Sequence, residues 1–166
     1  MVWCPTGEAS VKVSEQTFRY EPAEDHPGWF TWNLIDETRF NAQTMGRMLT
    51  RIEEGPDGIR RARLRMFPER RHSNLLDAVH GGVTLSLVDI ALFAAMRTLL
   101  DGDAAGSVTL DLSTQFIGAG HIGKPLDAVT EVLRETGRLV FLRGLVMQEA
   151  ETIAAFNGTI RKPTRR

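Results

Sequence analysis

Cysteine is almost missing from this chain. Cys4 is the only one in 166 residues, so no disulfide can close within the chain, as suits a reducing compartment. An excess of charge of one sign is also lacking: 20 basic side chains stand against 21 acidic ones, for a net charge of −1. That balance gives no electrostatic ground for a nucleic-acid or anionic-membrane partner. Met1 to Ser10 holds no basic stretch followed by an apolar run, so no secretory signal is expected. Long hydrophobic runs are scarce. The longest, Val83 to Met96, is interrupted by Thr84, Ser86 and Asp89, and at about 14 residues it falls short of the roughly 20 a membrane helix needs. His26, His72, His80 and His121 show no metal-ligand spacing, and no glycine-rich phosphate loop follows a strand pattern. These absences predict one cytoplasmic domain without metal or redox cofactor, and with neither nucleic acid nor membrane as partner.

What is present is unevenly spread. Residues 1–40 hold all three tryptophans, Trp3, Trp29 and Trp32, the only tyrosine, Tyr20, and also Phe18, Phe30 and Phe40. So much aromatic surface argues against a disordered tail, and an extension that docks on the main body or on a neighbouring subunit is expected. The main domain, residues 41–166, then begins with Arg47 to Glu54 and the turn Gly55-Pro56-Asp57-Gly58. Ile59 to Phe67 alternates, with Ala62, Leu64 and Met66 on one side and Arg61, Arg63 and Arg65 on the other, as in a half-buried antiparallel strand. An arginine row can meet an anion, but a solvated sheet face is the simpler reading.

From Gly81 to about Leu100 the chain is rich in alanine, leucine and methionine and apolar nearly all round, which predicts a buried central helix stopped by Asp101-Gly102-Asp103. Four strand patterns follow. In the first, Val108, Leu110, Leu112, Thr114 and Phe116 share a face against Thr109, Asp111, Ser113 and Gln115. Leu126 to Glu135, Leu139 to Glu149 and Thr152 to Arg161 complete the set. Two strands, a helix and four strands predict an α+β domain whose antiparallel sheet of about six strands wraps the helix.

Asp89 is the main chemical signal, a carboxylate in the most apolar part of that helix. An uncompensated buried carboxylate costs several kcal/mol, so it is either paired or functional. Burial would raise its pKa, which helps it take a proton from water near neutrality. Gly81 and Gly82 open the helix, where backbone N–H groups lack acceptors and where no Cβ blocks a substrate carbonyl. His80 precedes them as a capping or substrate-contacting residue. Asp89 lies eight residues past Gly81, roughly 12 Å along the axis. A base and an oxyanion donor acting on one carbonyl must each be within about 3 Å of their atoms, so one copy cannot supply both. Two antiparallel copies can.

Asn74, His80-Gly81-Gly82, six residues, Asp89 and then Thr109-Leu110-Asp111-Leu112 together closely resemble the PaaI-like acyl-CoA thioesterases of the hotdog fold, over residues from about 45 to 163. The resemblance implies a homodimer or homotetramer that hydrolyses acyl-CoA, with coenzyme A as part of the substrate. It implies Asp89 as nucleophile or general base, the Gly81 N–H as oxyanion donor, Asn74 as a placing residue and Thr109, where a serine is common, beside the aspartate. Gly82, His121, Lys124 and Arg138 are candidate substrate contacts, the last three toward CoA phosphates. The glycine-rich loop after Phe116 and the long extension depart from the family pattern. A hotdog hydratase or dehydratase and a non-catalytic acyl-CoA-binding hotdog are the alternatives. The first wants a histidine with an acidic partner, and the second has no need of a buried acid.

Overall fold

Period-two sequence builds most of this molecule. In the computed structural model, which describes residues 18–100 and 106–163, nine strands and one α-helix form. They are β1 (Phe18–Arg19), β2 (Phe30–Thr31), β3 (Asn33–Leu34), β4 (Met48–Glu54), β5 (Arg60–Met66), α1 (Gly81–Leu99), β6 (Val108–Phe116), β7 (Leu126–Glu135), β8 (Leu139–Gln148) and β9 (Glu151–Arg161). Seven of them make one antiparallel sheet in the order β2-β4-β5-β7-β8-β9-β6, wrapped on the single long helix. The expected six become seven because Phe30–Thr31 adds an edge strand that is too short to announce itself in sequence. Trp3, Cys4 and the Asp101-Gly102-Asp103 stop lie outside the described residues.

The core sits where the patterns put it. Ala62, Leu64 and Met66 are fully buried under α1, with Leu87, Val88, Leu92, Ala94 and Ala95 facing them and Leu126, Ala128, Leu142 and Ile160 closing the layer. The helix is long and apolar enough to cross a membrane by composition, but its apolar atoms are spent on the sheet. The sheet comes very close at Gly144, where a Cβ would lie 2.2 Å from the Val129 carbonyl oxygen and 2.5 Å from the Phe156 ring. No larger residue fits there without backbone movement.

The outer face of β4, β5 and β7 is finished with ion pairs. Arg63 bonds both Glu53 and Asp127, Arg65 grips Asp127 at 2.7 and 2.8 Å, and Arg61 bridges Asp57 and Glu131. The arginine row is thus the outer sheet face expected, with each guanidinium answered by a carboxylate. The Arg61 hydrogen bonds push Asp57 down to about 2, and the Arg63 guanidinium holds Glu53 below the usual carboxylate range.

The aromatic extension docks from Phe18 onward. Trp32 enters the main core with Phe18 packed edge-on at 4.4 Å. Trp29 lies under Arg51 and Arg65, 4.5 and 4.3 Å from ring centroid to guanidinium carbon, and forms a second small core with Ala23 and Leu49. Leu49 therefore has no exposed surface although β4 lies next to the sheet edge.

One alternation fails. The β6–β9 ladder pairs Thr109 with Ile160 and then Asp111 with Thr159, so Leu110 is an extra, bulged residue. A bulge reverses inside and outside. Thr109 therefore turns inward with Leu112 and Thr114, while Leu110 is exposed. The expected grouping of Leu110 with Leu112, against Thr109, is corrected by that single inserted residue.

Candidate active site

The bulge brings the two central site residues together. The Thr109 hydroxyl donates to Asp89 Oδ1 at 2.7 Å. Asp89 is half-buried, on a helix face that also carries exposed Gly82 and Leu85 and half-buried Ser86 and Phe93. This is the stripe of α1 that the sheet leaves uncovered.

Some twelve ångströms back along the axis, the start of α1 is a second assembly. His80 is its N-cap, and the ring Nδ1 accepts the Gly82 N–H at 2.9 Å. Val83 and Thr84 N–H groups bond the His80 carbonyl. The Gly81 N–H has no such partner among the described residues and points out of the helix end, where the macrodipole favours an oxyanion. A Cβ at Gly81 would lie 3.4 Å from the Phe116 ring, so an alanine fits structurally but narrows the approach.

Asn74 shapes the loop leading into the helix. Its Oδ1 accepts N–H groups of Leu76 (2.8 Å) and Ala78 (3.2 Å), and its own backbone N–H donates to the Ala78 carbonyl. The loop is tied down by His72, to which the sequence assigns no role. His72 is buried; its Nδ1 accepts from the Glu69 N–H, its Nε2 lies 2.7 Å from the Thr44 carbonyl, and its own carbonyl accepts the His80 N–H. The only textual sign of this is a histidine two residues before Asn74.

His121 and Lys124 lie on the adjacent loop, joined to the first by Val79 N–H to the Gly120 carbonyl and by the Ala78–His121 bridge. The Gln148 side chain braces that loop through the His121 N–H and carbonyl. Lys124 pairs with Glu149 at 3.1 Å. Arg138 is elsewhere. It begins the other end of β8, roughly 30 Å from Gln148 at strand rise, near the Thr109 end of the sheet through Leu139–Arg161 and Arg161–Val108 pairing. The candidate residues thus fall into two groups: Asn74, His80, Gly81, Gly82, His121 and Lys124 at one end, Asp89, Thr109 and Arg138 toward the other. Two concavities of about 520 and 570 Å³ on the outer sheet face contain no residue of either group.

A sheet curled around one central helix, with a carboxylate on the helix's bare stripe, is the hotdog architecture. Residues 76–155 match the family model of the thioesterase superfamily, and the fold is that of a hotdog domain. Solved structures agree. Thioesterase superfamily member 2 of zebrafish superposes with a TM-score of 0.61 at 20% identity, covering 76% of this chain and 88% of that one. The Escherichia coli PaaI protein of the phenylacetic acid degradation operon gives 0.55 at 21%, covering 61% and 76%. A Bacillus halodurans protein solved with CoA gives 0.54 at 26%, covering 66% and 70%. No curated protein sequence matches.

Proposed function

We propose that this protein hydrolyses acyl-CoA thioesters at a site assembled from two copies of the chain. The observation that carries the reading is the Asp89–Thr109 pair on the uncovered helix stripe, set a fixed 12 Å or so from the Gly81 N–H. Antiparallel pairing of two helices places Gly81 of one copy against Asp89 of the other, and the two-fold axis then generates two equal sites. At each, the Gly81 N–H stabilises the developing oxyanion. Asp89 activates water or attacks the thioester carbon, with one oxygen held by Thr109 and the other left for the reaction. The Asn74 carboxamide oxygen is committed to its own loop, so its NH₂ is what it offers to the substrate. His80, its Nδ1 engaged by Gly82, presents Nε2. The same pairing brings His121 and Lys124 of one copy toward Arg138 of the other, where CoA phosphates require cations. The CoA-bound Bacillus halodurans structure supports that choice of thiol carrier.

Thiol release over an acyl-CoA panel tests the reading. Wild type should turn over, and Asp89→Asn should lower kcat by about 10²-fold or more while still binding substrate. CoA-thioester binding without any turnover in wild type would make the protein a binding module and sink the catalytic assignment.

A further inference from the structure

Phe116 is at odds with its place in the sheet. It pairs with Ala154 and so continues the inward row of β6 after Thr109, Leu112 and Thr114. Phe156, on the same face of the neighbouring strand, is 4% exposed, yet Phe116 is 53% exposed. What it packs against explains the difference. A Cβ built on Gly81 would lie 3.4 and 3.5 Å from the ring Cζ and Cε1 atoms, so the ring edge rests on a residue with no side chain to cover it. Leu85, one turn further on and on the same helix face, is 39% exposed.

The ring is held there. The N–H groups of Ile117 and Gly118 both donate to the Ile153 carbonyl, and the Gly120 carbonyl accepts the Val79 N–H. A large aromatic side chain is thus fixed half-open beside the Gly81 N–H, which has no partner among the described residues. A carbonyl oxygen that accepts this N–H at about 3 Å brings the carbon next to the carbonyl within van der Waals reach of the ring.

Which side of a thioester lies there follows from the loop after β6. Lys124 is paired with Glu149 in the turn between β8 and β9, past the Ile153–Ala154 stretch that faces Phe116. His121 is bridged to Ala78, before the helix begins. The cations assigned to the CoA phosphates therefore stand beyond the end of β6, and the thiol arm leads out toward them. The acyl side remains between β6 and α1, where Phe116 and Leu85 present apolar surface. We propose that Phe116 is the residue that reads the acyl group. It accepts a chain unbranched next to the carbonyl and rejects one that carries a methyl group there. A methylene lies flat on the ring, whereas a branch needs room that a ring already touching Gly81 cannot give. The inference rests on the acyl-CoA hydrolysis proposed above.

The test sets butyryl-CoA against isobutyryl-CoA and octanoyl-CoA against 2-methyloctanoyl-CoA. Wild type should favour the straight member of each pair about tenfold or more in kcat/KM, the scale of one methyl group in a packed pocket. Phe116→Ala should shrink that preference about tenfold through faster turnover of the branched esters, with inhibition by free CoA unchanged. If Phe116→Ala fails to fold, Phe116→Leu carries the same test. A wild type without the preference, or a variant in which both members of a pair lose alike, overturns the assignment and leaves the hydrolytic reading standing. So does a wild type that hydrolyses other acyl-CoA esters but none of these four. Thiol release from no acyl-CoA at all overturns both.

Discussion

The two edges of the sheet are treated in opposite ways. At the β2–β4 edge most of the surface is covered, with Tyr20 and Ile52 left exposed: the aromatic extension supplies the last strand, Trp29 and Leu49 make a small core on the outer face, and Arg61, Arg63 and Arg65 of β5 are paired with carboxylates. At the β6 edge little is covered. Val108, Leu110, Phe116 and Ile117 are exposed, and so is Leu85 on the neighbouring helix stripe. A long edge strand with bare apolar side chains is a liability that proteins ordinarily blunt. Here the bare edge is also where Asp89 and Thr109 lie. The finished edge serves stability, and the unfinished one is where the two-copy site proposed above would be completed.

The strongest way to break this comparison is a mixed dimer. Asp89→Ala and Gly81→Ala homodimers should each be nearly inactive. Co-refolded mixtures should regain up to about a quarter of wild-type turnover, because random pairing makes half the dimers mixed and each of those holds one intact site of two. Recovery no greater than the sum of the parents, with mixed dimers present, would place the whole site within one chain.

A second test loads the finished side. Gly144→Ala should destabilise by roughly 1–3 kcal/mol or more in urea unfolding, because the new Cβ collides with the Val129 carbonyl oxygen as well as the Phe156 ring. Wild-type stability would mean that β7 and β8 can separate locally at no cost.

The smallest effect is the acid response of the outer face. Asp57 and Glu53 both titrate below their usual range beside Arg61 and Arg63. Depressed folded-state values add stability above the unfolded values near pH 4 and lose it as pH falls through the folded ones. The melting temperature should therefore decline from about pH 4 toward pH 2, and Arg61→Gln/Arg63→Gln should flatten that decline. Solvent screening keeps the change small. An unaltered slope in the double variant would show that these pairs carry no pH-dependent stability.

The sequence makes the architecture readable wherever one face of an element is buried. Ala62, Leu64 and Met66 alternate with arginines because the core lies on one side only, and α1 is apolar nearly all round because the sheet surrounds it. Asp89 stands out for the same reason. Other features leave no periodic trace. The Phe30–Thr31 strand is two residues long, and its pairing with β4 is a tertiary event. His72 works through backbone groups of Glu69, Thr44 and His80, a role that any histidine in a loop would hide. The separation of His121 and Lys124 from Arg138 depends on the length of β8, whereas their residue types say only that they are polar and exposed.

The bulge at Leu110 makes the strand tolerant of a change in chain length at one point and intolerant a few residues away. Residue 110 points to solvent and pairs with nothing on β9, so many side chains fit there. Its loss would bring Thr109 and Asp111 together as neighbours opposite Ile160 and Thr159, a regular ladder in which the hydroxyl that holds Asp89 still faces inward. A residue lost from the regular stretch between Leu112 and Phe116 has the opposite effect, because a one-residue slip turns everything before it to the other face, Thr109 included.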